Sequence, residues 1–309
     1  MPPAATEKNK NLSFRGRCWP EEPAFSCAIE NLPFDTFRKR PLQRGFTLLE
    51  LMVATAIFLV ICAAMFSLLQ LSQQRYSSES QLSGSFGEAR LGIDQIIRDI
   101  NIAGYPAPSL FSNPSSSAAY AISPFAWEPN YNSGSLSAAC QVGSTCTSPG
   151  PFDLIIETNF AGPSTTPPPP AIVNWIRYLL SGTTLLRGVA PKTVGGDPLS
   201  AIPPASMTPL VENVVNNAPS LSPALAAQIT AQHPTMFATG SVPLFQYSCA
   251  TPSGSQPCSS AAASGYNQPQ NISDIDVTLI VKTPHGDTQT QSLQIMELTG
   301  RGHQSNPAN

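Results

Sequence analysis

The chain has 309 residues, of which 11% are charged and 32 are proline, and its formal net charge is −3. Few charges and many Pro, Ser and Thr residues are typical of an extracytoplasmic, β-rich domain with long polar loops, and they argue against a cytosolic protein. Eight basic and fourteen acidic residues follow position 45. This balance disfavours a nucleic-acid-binding protein, which needs a basic patch with interleaved aromatic residues.

Residues 1–45 precede the first long apolar stretch and carry eight of the sixteen basic residues. No apolar period in this leader would bury a face, so we expect it to be disordered. Four of its basic residues lie within seven positions of Gly45, namely Arg38, Lys39, Arg40 and Arg44. The positive-inside rule therefore places the N-terminus in the cytoplasm and the C-terminal bulk of the chain outside it.

Residues 46–71 form an apolar stretch that is long enough to cross a bilayer as a helix, at about 1.5 Å per residue against roughly 30 Å of hydrocarbon. Glu50 is its one carboxylate, and a charge at the centre of a membrane helix costs roughly 2.5 to 3.5 kcal/mol. Such a charge needs a partner. Cleavage between Gly45 and Phe46 would supply one, because it creates an α-amine within reach of Glu50 on a neighbouring copy.

The run GFTLLE at 45–50, after Arg44 and before an uncharged helix, resembles the processing and assembly motif of type IV pilins and type II secretion pseudopilins. The resemblance implies that a membrane aspartyl prepilin peptidase cuts after Gly45 and N-methylates Phe46. It also implies that Glu50 is the assembly carboxylate of a subunit whose helix packs into the core of a helical filament. The later run RDINIAGY at 98–105 resembles the RD-x-x-x-AGY-like helix ending of PilW-like minor pilins.

An ordinary signal peptide or signal anchor is the alternative interpretation of a basic segment before an apolar run. A secretory signal peptide, however, has an apolar region of only about 7 to 15 residues, with its small-residue cleavage site at the far end. A plain anchor would need neither Glu50 nor the Gly45–Phe46 junction. The leader is longer than is usual in the family that the motif resembles. Either it is truly long or the true start codon lies downstream of Met1, and we favour the second.

Residues 72–103 are predicted to continue the helix as an amphipathic half. The apolar residues of this half recur at intervals of three and four: Leu82, Phe86, Ala89, Ile93, Ile96, Ile97 and Ile100. No proline occurs between Phe46 and Pro106, so nothing forces a break. Gly104 is the predicted stop, because glycine adopts the left-handed cap and the following proline cannot continue the helix.

Residues 104–151 are rich in Ser, Pro, Gly and Asn and are predicted to form a long loop. Its aromatic residues are expected to pin it to the rest of the domain: Phe111, Tyr120, Phe125, Trp127 and Tyr131. Residues 152–300 are predicted to form a β-rich head, and residues 301–309 a flexible tail.

Strand-like segments follow one another through the head, rich in β-branched or aromatic residues and bounded by Pro, Gly or Asn. They lie at 152–158, 172–180, 183–189, 210–215, 242–247, 274–283 and 288–298. The last two are predicted to form a hairpin with one buried face. One long N-terminal helix followed only by strands predicts an α+β fold, in which an antiparallel sheet packs on the helix as in pilins.

Four cysteines predict disulfide bonds. Cys140 lies close to Cys146 and Cys249 lies close to Cys258, in the part of the chain expected in an oxidising compartment. Two local bridges are expected, although the spacing also allows crossed pairing. A metal site is the rival interpretation, but no histidine lies at ligand spacing from these cysteines, so we expect no metal.

Catalytic signatures are missing from the sequence, which has no GxSxG, no HExxH and no phosphate-binding glycine loop. Asp274 and Asp276 are expected on one side of a strand, where a solvated face is a simpler interpretation than a calcium site. We therefore expect a structural protein and not an enzyme, without a cofactor.

The resemblance implies a minor pilin, a structural and assembly component of a type IV pilus. A J-like pseudopilin of type II secretion and a pilus-tip binding module, an adhesin or a DNA receptor, are the alternatives. Expected partners are prepilin peptidase, other major and minor pilins, the inner-membrane pilus assembly machinery and membrane lipid, with no nucleic acid. The expected location is the inner membrane, with one span and an extracytoplasmic head, and later the pilus at the cell surface.

Overall fold

The computed structural model describes the chain at residues 45–110, 117–129, 131, 138–144, 149–159, 173–261, 265–286 and 292–306. Its α-helices are α1 (Leu48–Asn101), α2 (Pro198–Ala201), α3 (Pro223–Gln232) and α4 (Cys258–Ala261). Its strands are β1 (Phe125–Ala126), β2 (Asp153–Thr158), β3 (Asn174–Ser181), β4 (Thr184–Pro191), β5 (Thr208–Val211), β6 (Phe245–Thr251), β7 (Gly254–Pro257), β8 (Ile272–Lys282) and β9 (Ile295–His303). Two compact units divide the chain, Met1–Val60 and Ile61–Asn309, and the head belongs to the second.

Helix α1 is one continuous element of 54 residues. Without proline over this length, every helical amide can donate its hydrogen bond, so the apolar and the amphipathic parts form a single helix. The chain leaves the helix through Gly104, whose φ of 80° lies in the left-handed region that glycine adopts without strain. The continuous helix and its glycine stop are both confirmed.

Two antiparallel sheets form the head, with strand orders β1-β2-β3-β4-β5 and β7-β6-β8-β9. Most neighbouring strands are also neighbours in sequence, so the sheets are built largely from hairpins. The strands from β2 to β6, and β8, overlap the predicted segments, whereas β9 begins and ends later than predicted and β7 was not predicted. The fold is α+β, a long N-terminal helix followed by antiparallel sheets, as the sequence predicted.

The buried face of α1 lies against strands of both sheets. Ile93, Ile96 and Ile100 are at most 5% exposed and share one apolar core with residues of β2, β3, β6 and β8. At β9 the approach is close enough to need glycine, since a Cβ on Gly302 would lie 2.5 Å from Cγ2 of Ile100. The apolar residues that recur at intervals of three and four in the sequence are therefore the ones that pack against the sheets.

Part of the predicted loop 104–151 joins a sheet as β1. The side chains of Phe125 and Trp127 are at most 1% exposed, and the ring of Tyr131 lies 5.5 Å from another aromatic ring of the head. Pinning by aromatic residues is confirmed for these three, and Phe111 lies outside the described residues. The loop assignment is corrected, because the buried aromatic residues hold the backbone where it can pair with β2.

Helix α3 was missed, since we expected only strands after α1. It belongs to a small apolar cluster that includes Phe237 and packs over Ile280 of β8. As a result both faces of β8 are buried in this half of the strand, including the side chains of Thr278, Ile280 and Lys282. The prediction of a hairpin with one buried face is therefore wrong over this half of β8.

The prediction of a flexible tail at 301–309 is wrong for residues 301–306, and residues 307–309 lie outside the described residues. Residues 301–303 continue β9, and Gln304 is buried, with its amide donating to the Ser273 carbonyl at 2.9 Å. The side chain of Asn306 donates to the Ala103 carbonyl. Polar composition suggested a free end, but α1 and β8 supply partners that order these residues.

Cys249 and Cys258 form a disulfide bond between β6 and the start of α4. This is the local pairing that the sequence predicted, and on the chain-entropy view closing so short a loop stabilises the head by about 2 to 3 kcal/mol. Cys140 is also disulfide-bonded. Because Cys146 lies outside the described residues, the pairing of Cys140 with Cys146 stays a prediction.

Candidate functional site

The segment from Gly45 to Glu50 forms the start of α1. The hydroxyl of Thr47 accepts a hydrogen bond from the Glu50 amide at 3.2 Å, and the backbone carbonyl of Thr47 accepts one from the Leu51 amide. Thr47 and Glu50 have the spacing of a capping box, and a carboxylate in the first turn is favoured by the helix dipole. Thr47 therefore caps the helix, and Glu50 lies in the first turn, where the helix dipole favours its carboxylate. The T-x-x-E pattern signalled this local role, which we did not predict.

Apolar side chains surround α1 beyond this start. From Gly45 to Gln70 every residue except Cys62 is exposed, and the large apolar side chains show 48% to 82% of their surface. A helix that is apolar all round needs cover from lipid or protein. The hydroxyl of Thr55 donates back to the Leu51 carbonyl at 3.0 Å, as suits a helix in lipid. By length and composition this helix could cross a membrane.

Glu50 is the only charged residue between Gly45 and Gln74. No cation within this stretch can neutralise its carboxylate. Phe46 is 82% exposed, and a Cβ added to Gly45 would meet nothing within 4 Å. The three predicted site residues thus lie together at one exposed helix start, while their roles in cleavage, methylation and assembly stay predictions.

The run 98–105 ties the other end of α1 to the head through a buried carboxylate. Asp99 is 1% exposed, and one of its oxygens accepts from the Tyr178 hydroxyl at 2.6 Å and from Nη2 of Arg187 at 2.9 Å. Its other oxygen accepts from Nε2 of Gln95 at 2.8 Å. Burial and the neighbouring Asp99 carboxylate raise the pKa of Tyr178 well above its ordinary value, so its hydroxyl stays a donor. Asp99 therefore joins α1 to β3 and β4.

The residues after Asp99 complete this attachment. Oδ1 of Asn101 accepts from the His303 amide at 2.9 Å, and the Gly104 amide donates to a carbonyl of β2 at 2.8 Å. A Cβ on Gly104 would lie 2.2 Å from the carbonyl oxygen of Asn306. The helix ending that resembles PilW-like pilins is thus an anchoring segment in this chain.

Two further buried carboxylates lie on β2. Glu157 accepts from Nζ of Lys192 at 2.8 Å and from Nε1 of Trp175 at 2.9 Å. Asp153 pairs with Arg177 at 3.0 Å, but burial outweighs this pair and raises the pKa of Asp153 from 3.8 to about 6. Their donors lie on β3 and directly after β4, so these buried carboxylates hold the sheet together and do not form a site open to a ligand.

We did not predict these buried ion pairs from the sequence. Asp99 did carry a local signal, because it falls on the apolar face of the amphipathic half of α1, between Ile96 and Ile100. Its partner Arg187 lies 88 residues away, and only the strand register brings the two together.

The prokaryotic N-terminal methylation motif matches residues 40–66. The match spans the predicted cleavage junction, Glu50 and most of the apolar stretch, and it indicates a protein of the type IV pilin or pseudopilin type. No curated protein and no solved structure matches the chain. The motif implies processing by prepilin peptidase and assembly with other pilins, in a family that is structural rather than enzymatic. Together with the apolar helix, it indicates a membrane-anchored pilin.

Proposed function

We propose that this chain is a minor pilin of a type IV pilus, of the PilW-like kind, which prepilin peptidase cuts after Gly45 and N-methylates at Phe46. The observation that carries the proposal is a methylation motif placed at the start of a helix whose first part, residues 46–70, is exposed and predominantly apolar. Lipid covers such a helix in the membrane, and the helices of other subunits replace the lipid in a filament. The PilW-like part of the proposal rests on the run RDINIAGY at 98–105, which resembles the helix ending of PilW-like minor pilins.

The domain organisation follows from this proposal. Residues 1–45 are the cytoplasmic leader that is removed, and residues 46–71 span the inner membrane. The head lies outside the cytoplasm, where the Cys249–Cys258 disulfide forms and persists because the compartment is oxidising. The inner-membrane assembly machinery then moves the processed subunit into the pilus.

Glu50 directs assembly in this proposal. Cleavage leaves a positively charged amine on Phe46, and an unpaired charge is costly at the apolar surface of a growing helical bundle. Glu50 of a neighbouring subunit neutralises that amine only when the two helices have the correct axial register. The carboxylate thus selects the register of docking.

Processing is tested by intact-mass measurement of the membrane-extracted protein from a host that has prepilin peptidase. We expect a chain that begins with N-methylated Phe46. Gly45→Val should keep the leader, whereas Gly84→Val, a matched change at an open glycine of the same helix, should be processed like the parent. An intact leader in the parent, or a new N-terminus beyond Leu71, would sink the proposal.

A type II secretion pseudopilin would be processed in the same way, so a second measurement separates it from the pilus. We expect the gene to lie in a pilus-assembly cluster and the protein to appear in sheared, purified pili. A secretion cluster, with the protein absent from sheared pili, would assign the chain to the secretion system.

A further inference from the structure

Among the described residues, the two sheets have four edge strands, and three of them are short and adjoin proline. β1 has two residues after Pro124, β5 has four including Pro209, and β7 has four and ends at Pro257. Proline has no amide to donate, so short edges of this kind resist the addition of a further strand. The fourth edge is β9, whose nine residues contain no proline.

Half of the β9 backbone points away from the sheet. The Gln304 amide donates to the Ser273 carbonyl, and the Gln294 carbonyl accepts from the Thr283 amide, each at 2.9 Å. The register between these two bonds is unbroken. The direction of the backbone groups alternates along a strand, so even-numbered residues of β9 bond to β8 and odd-numbered residues face the open edge.

Among the described residues, one end of this open edge is closed by the rest of the chain. The His303 amide donates to Asn101 of α1. In the part of the chain that the structure describes, no hydrogen bond reaches the outward amides and carbonyls of Ile295, Glu297, Thr299 and Arg301. These four residues span about 20 Å at roughly 3.4 Å per residue, enough for a pairing strand.

The charge beside the open edge is mostly negative. Arg301 is shared by two carboxylates of β8, with Asp274 at 3.4 Å and Asp276 at 3.7 Å. Glu297 is exposed and has no cation beside it among the residues that the structure describes. A strand bound at this edge would therefore gain from a basic side chain near Glu297.

Two copies of this chain do not pair through their β9 edges when both are anchored in one membrane. β9 runs in the same direction as α1, since Gly300 lies against Ile93 and Ile97 while Gly302 lies against Ile100. Two identical β9 edges related by a two-fold axis pair antiparallel, because parallel pairing sets a bonding residue opposite a non-bonding one. Antiparallel pairing would direct the two α1 helices oppositely, so they could not enter the same membrane from one side.

Resting on the proposed function, which supplies neighbours with helices parallel to α1, we propose that the open edge of β9 at residues 295–301 binds an extended strand of a different membrane-anchored subunit. That strand carries Lys or Arg opposite Glu297. Its backbone forms hydrogen bonds with the four outward amides and four outward carbonyls of β9, as in other cases of strand addition. Pairing ends before His303, because the His303 amide already donates to Asn101.

The test places a photo-cross-linking amino acid at Thr299 of the full chain, in cells with their complete set of pilin genes. After irradiation, mass spectrometry identifies the cross-linked peptide. We expect a peptide from another protein with an N-terminal methylation motif, in a segment that contains Lys or Arg. The same cross-linker at Ser255 on the protected β7 edge is the control and should give at least tenfold less adduct.

Changes at Glu297 test the mode of binding. Glu297→Pro removes an outward amide without touching a bond to β8, and it should lower the adduct yield at least tenfold, whereas Glu297→Gln keeps the amide and should lower it less. If Glu297→Pro shifts the thermal unfolding midpoint, Glu297→Lys is used in its place, because Glu297→Lys keeps the backbone amide and reverses the charge. The adduct yield of Glu297→Lys should fall below that of Glu297→Gln.

Several results would overturn the edge proposal: no adduct above the Ser255 control, an adduct only with lipid, with a soluble protein or with a second copy of this chain, or equal yields for all Glu297 variants. The leader mass is measured on the same sample. Lost cross-linking in a correctly processed protein counts against the edge alone, whereas an intact leader counts against the proposed function.

Discussion

The two ends of α1 each carry a carboxylate in apolar surroundings, and they balance it differently. Asp99 is buried in the head and receives hydrogen bonds from Gln95, Tyr178 and Arg187 of its own chain. Glu50 stands in an apolar stretch with no cation between Gly45 and Gln74. A carboxylate that its own chain neutralises contributes to folding, whereas one without a cation in its own apolar stretch is available to control assembly.

Replacing Glu50 tests the assembly side of this comparison. An unpaired charge in a membrane helix costs roughly 2.5 to 3.5 kcal/mol, so Glu50→Ala should reduce incorporation into filaments about a hundredfold. Cleavage and membrane insertion should be unchanged, because neither needs the carboxylate. The measurement is co-purification with other pilins, together with a filament count in a strain that carries only the variant.

Glu50→Gln is the matched control for helix capping, since it keeps a side chain suited to the capping box and removes the charge. If the charge matters, both variants fail to assemble. If Glu50→Gln assembles as well as the parent, capping is the whole role of this residue. Parental assembly of Glu50→Ala would refute the charge pair.

Replacing Asp99 tests the folding side. Removing one partner of a buried ion pair costs about 3 to 5 kcal/mol, so Asp99→Ala should destabilise the head by that amount. Asp94→Ala, at an exposed position of the same helix, should stay within about 0.5 kcal/mol of the parent. Denaturant unfolding of the full chain in detergent, followed by the fluorescence of buried Trp127 and Trp175, measures both. Equal costs would break the comparison.

The sequence predicted what depends on local pattern and missed what depends on distant partners. The absence of proline and the apolar period predicted α1 and its stop at Gly104, and the GFTLLE motif located Glu50. Helix α3 was missed although Ser222 and Pro223 form a recognisable helix start. Its apolar residues are buried by packing over Ile280 of β8, a distant contact that the local sequence does not reveal. The Asp99–Arg187 pair likewise depends on strand register, which the sequence does not reveal.

Glycines on α1 and on the strand against it extend the comparison to packing. Gly302→Ala would place a Cβ 2.5 Å from buried Ile100, and overpacking of this kind costs about 1 to 3 kcal/mol. Gly87→Ala has open space around it and should stabilise the helix by up to about 1 kcal/mol. The same unfolding measurement should therefore show shifts of opposite sign, and shifts of one sign would show that the helix face is not set by β9.

The pH dependence of the unfolding free energy tests whether the carboxylate of Asp153, although paired, is still costly to bury in the head. Burial raises its pKa to about 6 in the folded head, above the ordinary value of 3.8. Between about pH 4 and 6 the folded head therefore holds a proton that the unfolded chain has lost, so this group's contribution to stability falls as the pH rises through that window and is constant above it. The measurement is the unfolding free energy of the parent relative to Asp153→Asn from pH 4 to 7, in which other carboxylates cancel. A difference that does not decline between pH 4 and 6 would mean that Arg177 compensates fully for burial, and a carboxyl ¹³C titration of Asp153 would then have its midpoint near or below 4 instead of near 6.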